Sequence, residues 1–132
     1  MAEVLLIEPD RLLAESYVQA LQAVGHEVNA ASGAQAAIMA ADAIRPDLVV
    51  LELQLVEHSG IEFLYEFRSY PEWQDVPVII HTHVPAAEFN DSRQILRDEL
   101  GVHDYLYKPH TTLRRLTASV NEHLPVAVGP KA

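Results

Sequence analysis

Four side chains stand out by type and by place: Glu8, Glu52, Thr82 and Lys108. They are two acids, a hydroxyl and an amine, and each falls at or just beyond the end of a short apolar run. Such a set can hold a cation, close an ion pair or grip a phosphoryl group. Residue type alone does not choose among these.

Other chemistries find less support. The chain has no cysteine, which excludes a disulfide scaffold, a Cys-based zinc site, an iron–sulfur cluster and a thiol nucleophile. Gly25, Gly33, Gly60, Gly101 and Gly129 form neither Gly-x-Gly-x-x-Gly nor a P-loop. Ser59, Ser69, Ser92 and Ser119 lack the Gly-x-Ser-x-Gly elbow of a hydrolase. Of the seven histidines, His58, His81, His83 and His110 can gather near the ends of the apolar runs, whereas His26, His103 and His123 lie apart from them. There is no His-Glu-x-x-His helix to seat a metal, so rim histidines are expected.

The 132 residues, 49% hydrophobic and 21% charged, make one folded domain. The net charge of −10, with no basic cluster beyond Arg114-Arg115, speaks against nucleic acid as a partner. The start has no basic segment and an apolar run of only four residues, Val4–Ile7, unlike a signal peptide. No apolar run is long enough to span a bilayer. A soluble cytoplasmic protein with no membrane partner is expected.

The elements that must position these residues alternate in kind. Strands are expected at Val4–Ile7, Glu27–Ala31, Leu48–Leu53, Val76–Ile80 and Asp104–Tyr107. A first helix is capped by Asp10, repeats Leu13, Tyr17, Leu21 and Val24, and ends at Gly25. A second runs from Ala34 to Ile44, stopped by Arg45-Pro46. A third starts near Ser59, a polar fourth spans Ala86 to Leu100, and a fifth carries Leu113, Leu116, Val120 and Leu124. Trp73 is expected to cap the edge of the core. Strands alternating with helices make a parallel sheet covered on both faces, with its site outside the carboxyl ends of the strands.

Five segments in order resemble the receiver domain of two-component response regulators, over about residues 3 to 124. Val4-Leu5-Leu6-Ile7-Glu8-Pro9-Asp10 is similar to the family's first strand and its acidic end. Arg45-Pro46-Asp47-Leu48-Val49-Val50-Leu51-Glu52 is similar to the run into the phosphoacceptor aspartate, and Gly60 falls where a glycine opens the third helix. Pro77-Val78-Ile79-Ile80-His81-Thr82 resembles the fourth strand with its switch hydroxyl. Gly101-Val102-His103-Asp104-Tyr105-Leu106-Tyr107-Lys108-Pro109 resembles the fifth, with a switch aromatic at Tyr105 and a lysine before proline. The resemblance implies an α/β, flavodoxin-like, doubly wound five-stranded parallel sheet in the order 2-1-3-4-5 with five helices. The domain is expected at residues 1–124 with 125–132 as a flexible tail, and neither an output domain nor an enzymatic activity is expected.

Two departures bear on function. Glu52 stands where the family has its phosphoacceptor aspartate, and Pro9 where it has a second acid. Glu8 and Asp10 remain as the acidic pocket. A Mg²⁺ site needs oxygens at near-ideal octahedral places, so Mg²⁺ binding is expected to be weak or absent. Any metal would fall to Glu8, Glu52 and Gln54. Efficient phosphotransfer to Glu52 is not expected.

Glu52, paired with Lys108 and accepting from Thr82, is either a partial mimic of a phosphorylated residue or part of a fixed platform. The implied partners are signalling proteins, a histidine kinase or a downstream effector. A homodimer through the face of the fourth helix, fifth strand and fifth helix is a further expectation, through charges such as Asp104 and Arg115. The alternatives are a true Mg²⁺-dependent phosphoacceptor with a rearranged site, and a small ligand- or metal-binding module.

Overall fold

A computed structural model describes residues 2–125, and the expected tail lies, from residue 126 onward, outside them. Five strands form one parallel sheet: β1 Glu3–Ile7, β2 Glu27–Ala31, β3 Leu48–Leu51, β4 Val78–Thr82 and β5 Val102–Tyr107. Their order is β2-β1-β3-β4-β5. The regular helices are α1 Arg11–Ala23, α2 Ala34–Ala43, α3 Gly60–Ser69 and α4 Leu113–His123.

Successive side chains of a strand point to opposite faces, so a strand buried on both sides reads as continuously apolar. In β3 all four residues are buried. Leu5, Ile7, Val49, Leu51, Val78 and Ile80 face α2 and α3, where they meet Phe63, Leu64, Phe67 and Trp73. Val4, Leu6, Leu48, Val50, Ile79 and Leu106 face α1 and α4, where they meet Tyr17, Leu21, Leu116 and Val120. Trp73 stacks on Phe67 with ring centroids 5.0 Å apart and is buried at the core edge, as its position in the sequence suggested. The Arg68 guanidinium donates to the carbonyls of Trp73 (2.7 Å), Leu100 (2.9 Å) and Gly101 (3.1 Å), tying the end of α3 to the start of β5.

Local chemistry ends the helices where the site needs loops. Asp10 caps α1 by accepting from Leu13 N at 3.1 Å. Ser59 and Glu62 form a reciprocal capping box at the start of α3. Gly60 is required by space: a Cβ there would lie 2.7 Å from Leu53 Cα and 2.8 Å from the Glu52 carbonyl oxygen. This close approach packs α3 against the end of β3.

The sequence reading needs three corrections. The strand limits shift: β3 stops at Leu51, β4 runs two residues further to Thr82, and β5 starts at Val102. The fourth helix is not an α-helix. Residues Ala86–Ser92 form a 3₁₀ segment with non-helical angles at Phe89, and Ile95–Glu99 form a π-helical turn. Asn90, Asp91 and Ser92 offer the backbone local hydrogen bonds that compete with a regular helix, and of this stretch only Leu96 and Leu100 are buried in the core, with Phe89 packed partly against it. Five regular helices therefore become four, with short helical turns between them.

Candidate functional site

The register levels the strand ends. Ile7 is paired with Leu51, so Glu8 and Glu52, the next residues, leave the sheet side by side. Thr82 closes β4 opposite Tyr107, and Lys108 follows at the end of β5. Four separate strands thus deliver Glu8, Glu52, Thr82 and Lys108 to one spot at their carboxyl ends.

There the Lys108 ammonium lies 2.5 Å from Glu8 Oε1 and 2.6 Å from Glu52 Oε1. The other oxygen of Glu52 accepts from the Thr82 hydroxyl and from Gln54 N at 3.1 Å. The other oxygen of Glu8 accepts from Asp10 N at 3.0 Å. Every carboxylate oxygen of the pair is engaged. Glu8 and Glu52 are each 4% exposed, Thr82 is fully buried, and the Lys108 side chain is 5% exposed.

Burial alone would push the Glu52 carboxyl upward. The hydrogen bonds from Lys108, Thr82 and Gln54 outweigh it and hold Glu52 below the ordinary carboxylate range. Burial would likewise lower Lys108, but its bonds to Glu52 and Glu8 raise it above the usual lysine value. The site is charged: two carboxylates about one ammonium.

The switch-type residues connect to this centre. Thr82 Oγ1 accepts from Val84 N at 3.2 Å, and Val84 O accepts from the Tyr105 hydroxyl at 2.6 Å. A continuous path therefore joins Glu52, Thr82, Val84 and Tyr105. Burial, with Glu88 and Glu52 nearby, pushes the Tyr105 phenol up to about 12, so it remains a donor.

Two expected participants stand aside. The Asp10 carboxylate is exposed and serves as the α1 cap, so it is not part of the buried charge cluster. The Gln54 side chain is exposed, and only its backbone N–H reaches Glu52. One residue was missed, Tyr17, and one link, that of Glu8 to Lys108. Tyr17 sets its ring 5.9 Å from the Lys108 ammonium and edge-on to His81 at 4.8 Å. It sits on the core stripe of α1, where its spacing looks like that of any packing residue. Glu8 shares Lys108 with Glu52, a link that only the register reveals.

These donors do not fit a compact divalent cation. The Glu8 and Glu52 carboxylates are drawn onto the Lys108 ammonium, Pro9 offers no side-chain oxygen, and Asp10 and Gln54 are turned elsewhere. The histidines are not gathered into a ligand set either. His83 stands 3.9 Å from Glu52, His58 4.0 Å from Glu62, and His110 against the Tyr107 ring. Among the described residues no three of His, Cys, Asp and Glu are placed to hold a metal.

The face expected to dimerise has partly closed on itself. Asp104 accepts from Arg115 at 3.1 Å and from Ser119 at 2.7 Å within one chain. No described helix is long and apolar enough to cross a membrane.

Comparison with known proteins gives concordant results. Residues 4–121 match the profile of the response regulator receiver domain. The chain is 34% identical over 109 residues to the KDP operon transcriptional regulatory protein KdpE of Escherichia coli, covering 83% of this chain and 45% of that protein. It is 35% identical over 106 residues to the probable transcriptional regulatory protein TcrX of Mycobacterium tuberculosis, covering 80% of this chain and 43% of that protein. The chain thus spans less than half the length of these relatives. The chemotaxis protein CheY4 of Vibrio cholerae shares the fold at a TM-score of 0.82 and 22% identity, over 94% of this chain and 99% of that one.

Proposed function

We propose, because the chain belongs to the response regulator receiver domain family, that this receiver acts in two-component signalling through protein contacts, with Glu52 standing in the phosphoacceptor place and no conventional phosphotransfer. The carrying observation is the hydrogen bond from the Thr82 hydroxyl to Glu52 while Lys108 holds the other oxygen. A receiver's switch hydroxyl and lysine have a phosphoryl group to bind once the domain is phosphorylated. Here a built-in carboxylate holds both.

The imitation is partial. A carboxylate has one charge and two oxygens, whereas a phosphoryl group has nearly two charges and three oxygens. What Glu52 supplies is permanence: Thr82 is held toward the pocket, and Tyr105 is tied to it through Val84. The proposed partners are signalling proteins, a histidine kinase or a downstream effector, that read this fixed surface.

The test is intact mass after incubation with Mg²⁺ and a small-molecule phosphodonor, beside the double variant Glu52→Asp, Pro9→Asp. The wild type is expected to stay unmodified while the variant gains one phosphoryl group. A labile phosphoryl group on the wild type would overturn the proposal. An unmodified double variant would show that these two positions alone do not account for the loss.

A further inference from the structure

The solvent face of α2 is unlike that of an ordinary surface helix. Ala36, Met39 and Ala43 are exposed along it, Met39 at 67%, and Asp42 is the helix's only charge. A helix of this kind normally sets charged residues opposite its buried stripe. Between α2 and α3 lies a cleft of about 510 Å³, with Ala34, Ile38, Met39 and Phe63 as an apolar floor and Glu62 and Glu66 along the α3 wall. Val56, 86% exposed, stands in the loop beside its mouth.

Charge on this side is one-sided. The helices α2 and α3 and the loop before α3 carry Asp42, Glu57, Glu62 and Glu66, against Arg68, whose guanidinium is held on the carbonyls of Trp73, Leu100 and Gly101, and Arg45 just beyond α2. The Arg45 guanidinium is bonded away, to the Glu72 carbonyl at 3.2 Å. An acidic wall repels nucleic acid and anionic lipid. It attracts a cationic group placed next to an apolar one.

A ten-residue helix presents a groove about 15 Å long, matched by about three turns of a second helix. Small Ala side chains permit close approach, and Met39 adapts its shape to an apolar anchor. We infer that the α2–α3 groove docks an amphipathic helix of a partner protein, with apolar residues at i, i+3 or i+4 and i+7 facing the floor and Lys or Arg on the flank facing Glu62 and Glu66. The groove is separate from the Glu52 pocket and does not depend on how that pocket is read.

A synthetic Leu/Lys helical peptide with this spacing is the probe, titrated into isotope-labelled protein and followed by amide chemical shifts. The expected result is shifts confined to residues 34–43 and 56–66. Binding should be about tenfold weaker for Glu66→Lys and for Met39→Lys, both at exposed sites. A scrambled peptide of the same composition should bind weakly, and Arg97→Glu should bind as wild type does. Unchanged shifts away from the groove show that the variants are folded. Shifts centred on residues 86–105, equal binding of the scrambled peptide, or no shift at millimolar peptide would overturn the inference. So would the same shifts produced by protein concentration alone, since the groove's occupant would then be a second copy.

Discussion

Lys108 Nζ lies 2.6 Å from Glu52 Oε1, with the two side chains 5% and 4% exposed. A buried pair of this kind is sensitive to losing either partner, but the two losses differ here because Glu8 also holds Lys108. Lys108→Met leaves two buried carboxylates facing each other with no counter-charge. Glu52→Gln leaves Lys108 with Glu8. The lysine variant is expected to lose about 3–5 kcal/mol at neutral pH, and the glutamine variant about 1–3 kcal/mol. Urea denaturation of both decides it. Equal losses would mean that Glu8 does not share the ammonium.

The Thr82 hydroxyl is the link nearest Glu52 on the path to Tyr105, and a conservative substitution removes it. Thr82→Val keeps the shape and deletes both the donor to Glu52 and the acceptor for Val84 N. A cost of about 1–3 kcal/mol is expected from the buried groups left unpaired. The Tyr105 ring resonances should shift as well, although the ring is not in the bond that was cut. Tyr105→Phe, which removes only the bond to Val84 O, should leave the Glu52 titration unchanged. A Tyr105 signal unmoved by Thr82→Val would break the proposed connection.

Much of this arrangement was legible in the chain, for identifiable reasons. Apolar runs of strand length mark β1, β3 and β4, and a site residue follows from where such a run ends. Glu8, Glu52 and Thr82 are found that way, whereas Lys108 follows the less apolar β5 and stands out through its resemblance to the family's lysine before proline. Pairing between strands is not local, so the sharing of Lys108 by Glu8 needed the register of β1 against β3. The stretch from Ala86 to Leu100 has a helical scatter of apolar residues, yet too few of them reach the core to enforce a regular helix. Asp104 and Arg115, each exposed in type, are eleven residues apart and meet only because α4 packs beside β5. Asp10 carried two readings, cap and pocket acid, and the backbone N–H of Leu13 decided for the cap.

Gly60 controls the position of Glu52 without touching its carboxylate. An alanine Cβ would meet Leu53 Cα at 2.7 Å and the Glu52 carbonyl at 2.8 Å, both backbone atoms that cannot swing aside. Gly60→Ala is therefore expected to cost about 1–3 kcal/mol by overpacking. It should also perturb the Glu52 and Thr82 resonances more than those of β2, which lies at the far edge of the sheet. A uniform loss of stability with an unperturbed site would contradict the positioning role.

Acid should act on the fold in two stages. Burial, with Lys108 alongside, holds the His81 imidazole down at about 4 against the opposing pull of Glu52. In the unfolded chain the same ring titrates near 6.5. As pH falls, the unfolded state takes up this proton first, so the stabilising contribution is complete above about pH 6.5 and lost on the way down to about 4. A difference of roughly 2.5 units corresponds to about 3 kcal/mol. Glu52, held below the ordinary carboxylate range, adds a second loss at lower pH, as the pH drops from its unfolded value through its folded one. His81→Phe preserves a ring against Tyr17 and should remove the upper stage while leaving the lower one. Denaturation curves at about pH 7, 5.5 and 4.5 follow the upper stage, and one at about pH 3 reaches the lower. If wild type and His81→Phe lose stability in parallel through this range, the buried neutral imidazole is not the acid-sensitive group.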